Sequence, residues 1–392
     1  MAYDFDKVID RRNTDSLKYD FAERRGMPKD ILPLWVADMD FAAPDEVINA
    51  LVDKAKHGIY GYSEGRDDYF DAVAGWYKSY FQWTLKREWL IKTPGVVYAV
   101  TTAIRGLTDI GDGVLIQEPV YYPFREAIEV NDRKVVVNEL TYSQGAYTID
   151  LEDFEQKIVE EKVTMFILCS PHNPVGRVWT EKELIGMGQI CLKHGVLVVA
   201  DEIHADFTYP GYTHHVFADL KDEFAPITIT CTAPSKTFNL AALQLSNVLI
   251  IDQQLRRKFK QEVTRSGYSQ PNIMGLVSCH AAYTYGHEWL KALKDYLRSN
   301  LVFFKAYLAE HVPEAKVIEP EGTYLVWVDV SQVPKFIGMS DKEINHFMVN
   351  KANLWLDAGP MFGNGGQGFQ RFNIACPRSV LEKALSQLVR AL

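Results

Sequence analysis

The sequence predicts an α/β protein: a large, doubly wound, mostly parallel sheet domain followed by a smaller α+β C-terminal domain. Three observations carry this. Short apolar, β-branched runs recur through the middle of the chain, several without polar alternation, as strands covered on both faces require. Amphipathic stretches of helical length lie between many of them, and such alternation is the pattern of a parallel sheet. Past Gly286 the order changes to one long helix, short strands and a terminal helix.

In chain order, the first forty residues lack a regular period and are expected to form an arm. Asp45–His57 is amphipathic, opened by Pro44 and closed by Gly58, the usual asymmetry of helix ends. Thr93-Pro94-Gly95 leads into a helical pattern over Val96–Leu107. Strands are expected at Lys134–Leu140, Met165–Ser170, Val196–Asp201, Ile227–Thr232 and Leu245–Ile251. Thr180 and Glu183 form a capping box for a helix to His194, which Gly195 stops. Trp289, Leu293, Leu297, Leu301, Phe304 and Leu308 share one face of a long helix. Strands around Thr323–Val330 and Phe369–Ala375 and a helix from Ser379 complete the chain. The expected boundaries are an arm over 1–44 that associates with the small domain, a large domain over 45–285 and a small one over 286–392.

A chain of 392 residues exceeds the usual limit for one core. At 47% hydrophobic and 24% charged it is neither disordered nor fibrous. Its net charge of −9, from 51 acidic and 42 basic residues, argues against nucleic acid as a partner. Its five cysteines are scattered and form no C-x-x-C, which suggests thiols in a reducing compartment. The chain starts on charged residues, so no signal peptide is expected. Its longest apolar runs, such as Gly195–Ala200, are too short to span a bilayer. A soluble, cytoplasmic protein with no membrane partner is expected.

Three motifs invite other readings. Gly61-Tyr62-Ser63-Glu64-Gly65 fits G-x-S-x-G, but a nucleophile elbow needs a full strand before it, and only Ile59 and Tyr60 follow the helix stop. Gly363, Gly365, Gly366 and Gly368 precede a strand, not a helix, so a flexible loop is expected instead of a phosphate cradle. Asp201, Glu202, His204 and Asp206 lack a standard metal-ligand spacing, and no metal is expected.

Open α/β sheets bind ligands at the carboxyl ends of their strands. One strand there runs into Pro171-His172-Asn173-Pro174, the next ends on Asp201, and a third ends on Ala233-Pro234-Ser235-Lys236. Lysines in such pockets shift pKa readily and form Schiff bases with carbonyls. The free amides at the start of Val96–Leu107 make an anion site. A lysine for an aldehyde, an aspartate for a pyridinium nitrogen and a helix start for a phosphate suit pyridoxal phosphate. Spacing alone leaves this reading level with a generic nucleotide-binding sheet, in which Asp201 caps or pairs and Asn173 is a turn former.

Longer segments add a resemblance. They are Trp35-Val36-Ala37-Asp38-Met39-Asp40-Phe41, Gly95-Val96-Val97, Pro119-Val120-Tyr121-Tyr122-Pro123-Phe124, Ser170-Pro171-His172-Asn173-Pro174-Val175-Gly176-Arg177-Val178, Asp201-Glu202-Ile203-His204, Ala233-Pro234-Ser235-Lys236-Thr237-Phe238-Asn239 and Arg371-Phe372-Asn373. In this order, from end to end, the chain resembles the fold-type I, class I/II aminotransferase family. Within it the chain is most similar to bacterial cystathionine β-lyases and other carbon–sulfur lyases. The resemblance implies that Lys236 holds pyridoxal 5'-phosphate covalently and moves the Cα proton. It implies that Asp201 pairs with the pyridine nitrogen, Asn173 bonds the phenolic oxygen and Tyr121 stacks on the ring. The amides of Val96, Val97 and Tyr98, with Ser235, would hold the phosphate. Arg371 would grip the substrate α-carboxylate as a fork, helped by backbone near Ala37, with Asn173 and Tyr122 beside the substrate. Tyr62 would reach the phosphate of a neighbouring subunit, implying a homodimer.

Two positions depart from the broader family. His204 stands three residues after Asp201, where a tyrosine is common, and Gln244 eight after Lys236, where an arginine is common. Both changes fit the lyase subgroup. The activity implied is β-elimination from a sulfur-bearing amino acid, with Tyr122 placing or protonating the sulfur. Two rivals stay open: an aminotransferase exchanging an L-amino acid with a keto acid, and a regulatory protein on the same fold.

Overall fold

The computed structural model describes residues 3–392. Its main sheet has seven strands, in spatial order Leu90–Thr93, Ser246–Ile250, Thr228–Thr232, Leu197–Asp201, Val163–Cys169, Gly113–Ile116 and Lys134–Val137. Ser246–Ile250 is antiparallel to both neighbours, and the remaining pairs are parallel. Within the parallel part, strand order reverses between Gly113–Ile116 and Val163–Cys169. Such a switch point opens a crevice at the carboxyl ends of the strands.

Both faces of this sheet are covered. Met165, Ile167 and Cys169 pack with Val96, Ala99, Val100 and Ala103 of the helix Val96–Leu107 on one side. Phe166 and Leu168 pack with Leu184 and Met187 of the helix Glu181–His194 on the other. An unbroken apolar run at 163–169 follows directly, because successive side chains enter opposite buried layers. Thr180 and Glu183 form the expected reciprocal cap, and Gly195 closes the helix at φ 70°. The helix Asp45–His57 ends on Gly58 at φ 74°. The strands Leu90–Thr93 and Gly113–Ile116 were not among those expected. Each has only four residues, too short for either period to show.

A second, antiparallel sheet has the order Lys316–Val317, Leu325–Asp329, Phe369–Asn373, Asp357–Ala358. The helices His287–His311 and Arg378–Ala391 pack beside it. The arm joins this region: Leu32–Pro33 pairs in parallel with Leu354–Trp355, and Trp35 stacks on Trp355 with ring centroids 4.4 Å apart.

All five cysteines are free and buried. Among the described residues, no helix is long and apolar enough to cross a membrane. The Gly61–Gly65 stretch is coil with no strand before it. The glycine cluster departs from expectation. A Cβ on Gly363 would strike the Glu118 carboxylate, and one on Gly366 the Gly359 carbonyl. These glycines let backbone pack closely instead of forming a loose loop.

Candidate active site

The strand ends deliver the expected residues to one cavity, lined by Ala37, Val96, Val97, Tyr121, Cys169, Asn173, Asp201, Ile203, His204 and Lys236. Lys236 stands on a single helical turn, Pro234–Thr237, directly after its strand. Its Nζ donates to the Ala37 carbonyl at 2.7 Å. Burial pushes the ammonium down to about 8; Asp38 and Asp201 pull it up, while Arg371 pushes it further down. Asp201 is the last residue of its strand, and its Oδ1 accepts from the Ile203 amide at 3.1 Å. Burial raises this carboxyl to about 7, against that hydrogen bond and the nearby Lys236. A buried acid held so high lacks a full counter-charge.

Arg371 lies at the middle of the strand Phe369–Asn373 and is buried. Its Nη1 donates to Asn173 Oδ1 at 3.0 Å, and its Nη2 to the Trp35 carbonyl at 2.7 Å and to Asp357. The guanidinium also lies over the Phe362 ring, 4.9 Å from the centroid. Asp357 faces Arg371 across the antiparallel register, and burial raises its carboxyl while Arg371 pulls it down.

The helix Val96–Leu107 begins at Gly95 with no side-chain cap. A Cβ on Gly95 would meet nothing within 4 Å. Val96 and Val97 of this first turn line the cavity with Lys236, and the amides of an uncapped first turn make a ready anion site. His204 is buried, and burial holds its imidazole well below the usual range, with Lys236 and Arg371 pushing the same way. It is therefore neutral, and its Nδ1 is buried with no partner among the described residues.

Not every expected residue converges within one chain. Tyr122 is half-buried and packs against Tyr121 and Phe362, with ring centroids 5.6 and 6.0 Å away. Ser235 neighbours Lys236 but does not line the cavity. The Tyr98 hydroxyl turns away to Ser266, so only its amide is near the helix start. Tyr62 is 97% exposed and lines a separate cleft with Pro94, Gln244 and Tyr268. Of the supposed metal cluster, Glu202 accepts from His214 at 3.1 Å and from the Phe217 amide at 2.9 Å. Asp206 accepts from Trp76 at 3.0 Å and Thr237 at 2.5 Å.

Sequence reasoning gave no role to Cys169, which precedes the segment beginning at Ser170, or to Ile203, inside the segment Asp201–His204. It also missed what braces the Lys236 acceptor. Tyr324 donates to the same Ala37 carbonyl at 3.0 Å. Asn373 Nδ2 donates to the Val36 and Asp38 carbonyls, both at 2.6 Å. The Lys18 side chain is fully buried, with Nζ 2.9 Å from Asp40 and 3.5 Å from Asp38. Arg11 reaches the same two carboxylates at 2.7 and 2.8 Å.

Comparison with known proteins shows the family. The model of aminotransferase classes I and II matches residues 29–388, so the chain belongs to that family. It is an enzyme of fold type I that uses pyridoxal 5'-phosphate. The chain is 41% identical over 388 residues, 99% of each protein, to cystathionine β-lyase PatB of Bacillus subtilis. The structure matches cystalysin from Treponema denticola, solved with pyridoxal 5'-phosphate, at TM-score 0.95 and 38% identity, covering 100% of this chain and 99% of that one. A pyridoxal-phosphate-bound putative aminotransferase from Clostridium difficile 630 matches at TM-score 0.96 and 42% identity, covering 99% of each chain. Within the family the chain falls in the carbon–sulfur lyase subgroup. The cavity fits the cofactor: an uncapped helix start for a phosphate, an under-compensated acid for a ring nitrogen and an amine for an aldehyde occur together.

Proposed function

We propose that the protein is a carbon–sulfur β-lyase that cleaves L-cystathionine or related S-substituted cysteines to pyruvate, ammonia and a thiol. The observation that carries this is the Lys236 amine facing Asp201, Asn173 and an uncapped helix start in one cavity, in a chain 41% identical throughout to a named cystathionine β-lyase.

Lys236 would hold the cofactor covalently and Asp201 would bind its ring nitrogen. Asn173 would bond its phenolic oxygen, with Tyr121 and His204 against the ring. The amides of Val96, Val97 and Tyr98, with Ser235, would take the phosphate. The bound cofactor supplies an electron sink for the pair left when the Cα proton departs. Arg371 binds the substrate α-carboxylate; three acceptors already fix its guanidinium plane, so little entropy is lost on binding. The Ala37 backbone and Asn173 flank that carboxylate. Once the substrate amine has displaced it, Lys236 would take the Cα proton at Nζ, and burial favours the neutral amine that this needs. Burial first, and Asp357 next, raise the Tyr122 hydroxyl. It therefore stays protonated and is suited to donate to the leaving sulfur.

The chain would divide into an N-terminal arm (1–44) associated with the small domain, a large domain (45–285) and a small domain (286–392). The functional protein would be a cytoplasmic homodimer in which the partner subunit's Tyr62 completes the phosphate site. Ile59, Tyr60 and Tyr62 are 68%, 57% and 97% exposed within four loop positions, an apolar patch that a second copy would cover.

Incubation of the purified enzyme with cystathionine, cysteine and alanine separates the activities. The lyase forms pyruvate and thiol from cystathionine without an added keto acid. Amino exchange that requires a keto acid, with no pyruvate from cystathionine, would overturn the proposal in favour of an aminotransferase.

A further inference from the structure

A second cavity, of about 290 Å³, lies apart from the one containing Lys236. It opens between the loop 207–212 and the helix His287–His311. Ligand pockets span roughly 300–1,000 Å³, so this one has room for a molecule of amino-acid size. Phe207, Tyr209, Tyr212 and Leu297 give it an apolar and aromatic wall, and Lys294 and Arg298 supply two cations on one helix face.

Among the described residues, no carboxylate lies within ion-pair distance of Lys294 or Arg298. Asp295 also lines the cavity, where the two cations outnumber it; the buried Asp206 carboxylate acts on Lys294 from outside the lining. Lys294 is half-buried; burial pushes its ammonium down, while Asp206 and Asp295 pull it back up. Like charges four residues apart on a helix repel, so this pair favours an anion between its heads. The Tyr209 hydroxyl is also buried with no hydrogen-bond partner among the described residues, and unsatisfied buried hydroxyls are uncommon in native proteins.

We propose that this cavity is a second binding site, for a small organic carboxylate with an apolar or aromatic body, its head held between Lys294 and Arg298. The site adjoins the catalytic one without sharing it. The Phe207 amide donates to the His204 carbonyl at 2.9 Å, and the Thr323 amide to the Phe207 carbonyl at 2.9 Å. His204 lines the catalytic cavity, and Tyr324, next to Thr323, holds the Ala37 carbonyl.

Benzoate is a suitable probe, titrated calorimetrically into the holoenzyme while cofactor absorbance is followed. Binding at Arg371 would disturb that absorbance, whereas binding at Lys294 would not. The expected result is a binding component silent in absorbance, weakened about tenfold or more in Lys294→Met and in Arg298→Met, as loss of one charge-assisted contact implies. Uncharged benzyl alcohol should not produce it. The proposal is overturned if every benzoate heat tracks the absorbance change, if benzyl alcohol binds equally, or if both variants retain the silent component within about twofold. Arg298 is exposed, so Arg298→Met decides alone if Lys294→Met does not fold.

Discussion

Replacing Lys18 by methionine tests how the arm supports the active site. Methionine keeps much of the apolar stem but removes the charge that sits 2.9 Å from Asp40 and 3.5 Å from Asp38. Burial alone would push the Lys18 ammonium down, yet the two carboxylates raise it overall, so the pair is strongly coupled. Removing one partner of a buried pair costs about 3–5 kcal/mol, because the other charge is left unpaired. At about 2.1 cal/mol/K of unfolding entropy per residue, a chain of 392 residues should lose roughly 4–6 °C in Tm. The double variant Lys18→Met/Asp40→Asn should recover more than half of that loss, since it removes the stranded charge. A second effect reaches Lys236. Asp38 pulls that amine up, and without Lys18 its charge is less compensated, so the amine should titrate above about 8. Calorimetric melting and a pH titration of cofactor attachment read the two effects. A melt within about 1 °C of the parent would mean that Arg11 and water alone satisfy both carboxylates and that Lys18 does not hold the arm.

In the unmodified apoprotein, attachment of the cofactor needs the neutral amine of Lys236. Its rate should rise with pH and level off above about 8; a rate flat from pH 6 to 9 would contradict the burial of this amine. Arg371→Lys loses the planar fork that Asp357, Trp35 and Asn173 orient. It should raise KM by roughly 30–150-fold, about 2–3 kcal/mol, with a smaller change in kcat, and an unchanged KM would place the carboxylate elsewhere. Tyr62→Phe should weaken cofactor retention in equilibrium dialysis about fivefold, near 1 kcal/mol, while the mass in solution stays dimeric. Equal retention would remove the partner subunit's Tyr62 from the site.

Much of the catalytic cavity was legible because its residues follow strands whose apolar runs are unmistakable. Asp201, Asn173 and Lys236 sit at or just past strand ends, and Val96–Leu107 announces its start through Pro94 and Gly95. Asp357 was not legible. It meets Arg371 through cross-strand register, and the two segments are separated by a glycine-rich turn whose path no local pattern dictates. Arg11 and Lys18 were hidden for a similar reason. They lie in an arm without periodicity and act on Asp38 and Asp40, twenty or more residues away. The packed glycine turn was misjudged because glycine in sequence does not distinguish freedom from close contact. Tyr62 has its proposed target on another chain, so no single-chain contact can reveal it.

The central claim is that one amine, at Lys236, carries the cofactor opposite the Asp201 carboxylate. Borohydride reduction of the holoenzyme, proteolysis and mass mapping test it most directly. One pyridoxyl mass per chain is expected, on the peptide containing Lys236 and absent from Lys236→Ala. A label on another lysine, or one that survives in Lys236→Ala, would contradict it.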